Sequence, residues 1–156
     1  RTKGNGRIKM KYVFLVLSIL TTAFVFSNSL RNREQSANQS DKITNGIVDI
    51  VEEITDKPQN HNRWSYYVRK LAHFGEYAVL GTLWLLCLYS FFRKKVYSFL
   101  AFAICALIGI IDEIIQLFVP GRVGSISDVL LDSSGALFAI LIVTLILYLV
   151  ERKKKS

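Results

Sequence analysis

Residues 69–81 read R-K-L-A-H-F-G-E-Y-A-V-L-G, and this stretch decides the fold. It carries ionisable side chains into an apolar run that continues to Phe92 and is long enough to cross a bilayer. Arg69, His73, Glu76 and Leu80 stand at i, i+4, i+7 and i+11, so a helix places them on one stripe. A histidine and a glutamate are costly in hydrocarbon. Such residues face the interior of a helix bundle and mark sites of function.

Working outward, the 156-residue chain is 51% hydrophobic and carries a net charge of +8. Its mean hydropathy is +0.32. Charges fall in blocks between apolar runs, the pattern of one small polytopic membrane bundle covering residues 1–156 as a single domain. Spans are expected at about 12–30, 71–92, 96–119 and 126–150, making an all-α protein of four transmembrane helices. The first span follows a basic flank, as a signal peptide would, but Ser27-Asn28-Ser29 is a poor cleavage context and an uncleaved helix is expected. Met10 is a second candidate start.

The external segment 31–70 is the hydrophilic part. Within it Ile43, Ile47, Ile50, Val51 and Ile54 repeat at helical spacing, which predicts an amphipathic helix capped by Ser40 or Asp41. That helix either lies in the membrane interface or lids the bundle. A polar connector over 58–65 and an aromatic belt of Trp64, Tyr66 and Tyr67 are expected to follow, with His61 a solvated loop residue. The joint Arg93-Lys94-Lys95 is short enough to force antiparallel neighbours. Lysine and arginine supply 12 of 20 positions at the two termini and this joint, against 8 of 47 in 31–70 and 120–126. Both termini are therefore expected in the cytoplasm, with 31–70 outside. The basic runs are membrane flanks, and no nucleic-acid partner is expected. Cys87 and Cys105 lie inside apolar runs and read as small buried hydrophobes.

The polar residues of the spans gather at the outer end. His73, Glu76 and Tyr77 lie near the start of the second span, within about 10 Å of its end at 1.5 Å per residue. Asp112, Glu113 and Gln116 lie near the end of the third, and Asp128 and Asp132 open the fourth. Gly81, Gly109 and Gly135 beside them would let helices approach closely. The expected result is one outward-facing polar pocket with Arg69, Lys70 and Arg122 at its rim.

Several chemistries fit this set. The carboxylates and rim cations could form a fixed ion-pair network. His73 with Glu76 could do acid/base work, assisted by Asp112 or Glu113, and these four are the catalytic candidates. The ligand-binding candidates are Arg69, Lys70, Tyr77, Gln116, Arg122, Asp128 and Asp132. A metal set of His73, Glu76, Asp112 and Glu113 is chemically available, but with one intramembrane histidine and no H-x-x-x-H spacing no metal or cofactor is expected. Serines 125, 127, 133 and 134 stand in no nucleophile motif and read as helix-start residues. Arginine matches phosphate and carboxylate, so the rim suits a lipid phosphate, a lipid-linked sugar or a peptide carboxylate.

Three segments, R-K-L-A-H-F-G-E-Y-A-V-L-G at 69–81, D-E-I-I-Q-L-F-V-P-G-R at 112–122 and S-D-V-L-L-D-S-S-G at 127–135, resemble the VanZ-like family of small bacterial membrane proteins. The resemblance implies a link to low-level resistance to teicoplanin, a lipid-tailed glycopeptide acting on cell-wall precursors. It implies a partner that is a membrane lipid, a lipid-linked precursor or a lipoglycopeptide, and it leaves open whether the protein is an enzyme and how it oligomerises.

Overall fold

The structure is a computed structural model that describes residues 2–31, 33–92 and 96–154, with side chains at all of these except 2–8, 33–35 and 37–39. The basic joint 93–95 and the end of the tail, 155–156, lie outside the described residues. The described residues form five helices: α1 Thr2–Ser29, α2 Arg33–Thr55, α3 His61–Phe91, α4 Tyr97–Leu117 and α5 Ile126–Lys153. Four of them, α1 from Lys9 onward, α3, α4 and α5, are long and apolar enough to cross a membrane.

The first, third and fourth spans match their expected ranges within a few residues. α3 differs: it begins ten residues before the expected start at 71. Asn60 caps it, its side chain accepting from the Arg63 amide at 3.2 Å. Tryptophan and tyrosine at 64–67 are therefore helical, and the connector shrinks to residues 56–60. His61 is the first residue of α3 and not a solvated loop residue; its Nε2 sits 2.7 Å from Asn45 Oδ1 on α2. His73 consequently lies twelve residues into α3, about 18 Å from the helix end rather than about 10 Å.

α2 also starts earlier than its expected caps. Ser40 is inside the helix, its Oγ donating to the Ser36 carbonyl at 3.2 Å. The buried face is rotated from the isoleucine stripe. Ser40, Thr44 and Val48 are buried, while Ile43, Ile50 and Ile54 are more than half exposed. α2 thus lids the bundle by packing on α3 and keeps an apolar stripe outward.

α3 is the central helix and packs against each of the other four. Its crossing with α5 is backbone-close. A Cβ on Gly81 would stand 2.8 Å from the Ala136 carbonyl oxygen, and one on Gly135 would strike the Phe74 carbonyl. Around that crossing lie Val25, Tyr77, Leu80, Cys105, Ile108 and Ala136, with Leu85, Ala101 and Ile140 in a second cluster nearer the other end. Cys87 and Cys105 are free and buried, as their apolar surroundings predict. Large side chains such as Phe99, Leu130, Phe138 and Leu141 point outward, which suits hydrocarbon and not water.

The C-terminal ends of α1 and α4 meet the N-terminal half of α3 and the start of α5 at one end of the bundle, where His73, Glu76, Asp112, Glu113, Asp128 and Asp132 collect. At the opposite end Tyr89 donates to Glu151 Oε1 at 2.6 Å, and Lys11 sits 5.4 Å over the Phe91 ring.

Candidate functional site

The centre of the charged end is a trio of buried carboxylates. Asp112 and Glu113 come from the last turns of α4, and Asp132 from the second turn of α5. Each offers an oxygen within 4.8 Å of the others. Their exposures are 0%, 6% and 1%. Ser29 on α1 donates to Asp112 Oδ1, and Gln116 donates to Asp112 Oδ2 at 3.0 Å. The Ser125 amide donates to Glu113 Oε2 at 2.7 Å, so Glu113 serves the open end of α5 where no side chain of Ser125 does. Both oxygens of Asp132 are buried without a hydrogen-bond partner.

His73 belongs with Asp132, its Nδ1 3.9 Å from Oδ1. Glu76 accepts from Asn28 Nδ2 on α1 at 2.9 Å. The two thus lean on different helices, and no hydrogen bond joins them among the described residues. Tyr77 is fully buried beside Gly109, and its hydroxyl has no partner. The metal set of His73, Glu76, Asp112 and Glu113 is not gathered; the residues that come together are Asp112, Glu113 and Asp132.

The rim is arranged by a turn. The Arg122 amide donates to the Val119 carbonyl at 3.1 Å across Pro120-Gly121, and Gly121 has φ 79°. That is a type II turn, with proline at its second position and glycine where φ must be positive. It folds Arg122 back over the bundle. There its guanidinium donates to Ser36 Oγ on α2 and to the Asn28 carbonyl at 3.5 Å. Burial lowers the pKa of Arg122, and Asp112 opposes that; the guanidinium stays charged. Lys70 pairs with Asp128 and sits 5.4 Å over the Tyr66 ring.

Arg69, His73 and Arg122 line two clefts. One, of about 140 Å³, is closed over by α2 and also lined by Asn28, Arg31, Ser36 and Glu76. The other, of about 300 Å³, is lined by Lys70, Gln116, Gly121 and Asp128. The Nε of Arg69 is buried with no hydrogen-bond partner among the described residues. On the far side of Glu76 an apolar groove of about 410 Å³ runs between α1 and α3 past Leu17, Leu20, Phe24, Val25 and Val79.

All eleven candidate residues therefore lie at one end of the bundle, but their partners include residues the sequence reading missed. Asn28, Ser29 and Ser36 come from α1 and α2. A signal was present: Ser18, Thr22, Val25 and Ser29 repeat at i, i+4, i+7 and i+11, the same stripe spacing as 69–80, and this is the buried face of α1. The fixed ion-pair network is only partly formed. Among the described residues Lys70 pairs with Asp128, His73 approaches Asp132 at 3.9 Å, and no lysine or arginine pairs with Asp112 or Glu113.

Comparison with curated proteins returns no match, and neither does comparison with solved structures. A family model described as VanZ/LLP1 matches residues 14–147, which reaches into all four apolar spans and includes every residue of the charged end, and the chain belongs to that family.

Proposed function

We propose that this protein binds an anionic amphiphile of the outer leaflet of the bacterial cytoplasmic membrane. The ligand class is a membrane lipid, a lipid-linked cell-wall precursor or a lipoglycopeptide, and its capture would modulate the envelope or give tolerance of teicoplanin-type antibiotics. The observation that carries this is the seat of Glu76, where the small basic cleft and the apolar groove meet. Arg69 and Arg122 offer guanidinium donors to a phosphate or carboxylate, while Leu17, Leu20, Phe24 and Val79 offer an acyl or isoprenoid chain a path between α1 and α3. Charge and chain are then held by one continuous surface, as an amphiphile requires.

Native mass spectrometry of the purified protein with phosphatidylglycerol and phosphatidylcholine tests this. Wild type is expected to retain phosphatidylglycerol preferentially. Arg122→Ala should weaken that preference roughly tenfold or more, since a charge-assisted hydrogen bond contributes about 1.5–3 kcal/mol. Equal retention by wild type and variant would refute the headgroup assignment.

A second reading is an enzyme acting on the same ligand. It is favoured by the His73–Asp132 approach of 3.9 Å, which sets a carboxylate beside an imidazole that faces both clefts. His73→Gln and Glu76→Gln separate the two. An enzyme keeps its ligand and loses its effect on the cell envelope; a binding protein loses both together or neither.

A further inference from the structure

We infer that Asp112, Glu113, Asp132 and Tyr77 form a binding site for one divalent cation of the magnesium, calcium or manganese class. This goes beyond the amphiphile reading and does not depend on it, because it rests on the inner face of the charged end and not on the arginine rim.

Three carboxylates whose oxygens lie within 4.8 Å of one another, all buried, repel strongly if ionised. Buried carboxylates are normally offset by a paired cation. Here no lysine or arginine among the described residues comes within ion-pair distance of Asp112 or Glu113; Arg122 acts on both only from farther off, and His73, at 3.9 Å, approaches Asp132. The donors present are uncharged: the Ser29 hydroxyl, the Gln116 amide and the Ser125 backbone N–H. They use the oxygens of Asp112 and one oxygen of Glu113. Left over are the other Glu113 oxygen and both oxygens of Asp132.

The second observation is Tyr77. It comes from a different helix, is 0% exposed, and its hydroxyl has no partner. A Cβ placed on Gly109 would lie 3.7 Å from that hydroxyl and 3.9 Å from the Asp132 Cβ, so Tyr77 and Asp132 both face the same point of α4, one turn from Asp112. A phenol buried here without a hydrogen bond is costly unless something accepts from it or is held by it. The unused donors are all oxygens. That set selects hard cations; Cys105 packs in the same core cluster as Tyr77 but is not among the ligand atoms that gather within 4.8 Å. The cleft lined by His73 and Gln116 adjoins the site through these two residues, Gln116 bonded to Asp112 and His73 beside Asp132.

The test titrates Mn²⁺ alone into the full chain reconstituted in phosphatidylcholine nanodiscs, with free Mn²⁺ read by electron paramagnetic resonance. Phosphatidylcholine carries no net charge, and no anionic amphiphile is added, so a failure of lipid capture does not move this measurement. One saturable equivalent is expected, displaced by Mg²⁺ or Ca²⁺. Asp132→Asn should weaken uptake tenfold or more, Tyr77→Phe several-fold, and Asp49→Asn, on the exposed face of α2, not at all. A shift of the wild-type melting temperature upward with Mn²⁺ and back with a chelator gives a readout that needs no variant to fold. Absence of saturable uptake by wild type, or unchanged uptake by Asp132→Asn, would overturn the site and leave a shared proton as the way these carboxylates coexist.

Discussion

Gly121 shows how one residue without a side chain places another that has a long one. Its φ of 79° is a conformation that an L-residue adopts at a cost of about 1–2 kcal/mol. The turn it closes is what returns Arg122 to Ser36 and Asn28. Gly121→Ala is therefore expected to cost about 1–2 kcal/mol of stability and to erode the phosphatidylglycerol preference along with it. A thermal melt and the lipid-retention assay on the same sample check this. Loss of stability with unchanged retention would show that the turn supports the fold without aiming the guanidinium. At this same scale the charge of Asp128 is already offset by Lys70, whereas Asp132 has only His73 near it. Two aspartates one turn apart thus play different parts, and nothing in their spacing alone says so.

Among the elements, the α3–α5 crossing governs the site. Phe74 abuts Gly135 one residue from His73, and Gly81 abuts Ala136. The registry of these contacts sets how far α5 rotates Asp132 toward α4. The three glycines near the site are not equivalent. A methyl on Gly135 meets backbone, which cannot move aside, while one on Gly109 meets the Tyr77 ring at an ordinary 3.6 Å. Gly135→Ala is expected to destabilise by about 1–3 kcal/mol through overpacking. Gly109→Ala should be neutral or stabilise by up to about 1 kcal/mol through helix propensity. Unfolding in mixed micelles measures both, and equal effects would mean that the helices are not held at this crossing. α2 shows a different balance. Ser36, Ser40 and Ile43 line the small cleft, Thr44 and Val48 are buried with Ser40, and isoleucines 50 and 54 are turned outward.

For the whole molecule, the distribution of charge makes the two ends unlike. One end holds every ionisable residue of the spans' interiors, and the other is fringed by Lys11, Arg152 and Lys153. The expected orientation puts the charged end outside. Cysteine labelling with a membrane-impermeant maleimide in intact cells tests it: Lys57→Cys should label at once and Arg152→Cys only after permeabilisation. The native cysteines are buried and give a clean background. The reverse pattern would place the clefts and the carboxylate trio toward the cytoplasm and remove outer-leaflet ligands from consideration.

The sequence by itself determined the number of spans, the approximate bounds of the first, third and fourth, and the gathering of polar residues at one end. Those properties follow from run length, composition and distance along a helix of known rise, all of which are local. It also carried the α1 stripe of Ser18, Thr22, Val25 and Ser29, legible only once polar residues as small as serine are counted as inward markers. Only the tertiary structure decided which side chains meet. Whether His73 turns to Asp132 or Glu76, and whether the third carboxylate of the trio is Asp132 or Asp128, depends on helix order and on rotation about each axis. Both are set by contacts between residues far apart in the chain, above all by backbone meeting backbone at Gly81 and Gly135.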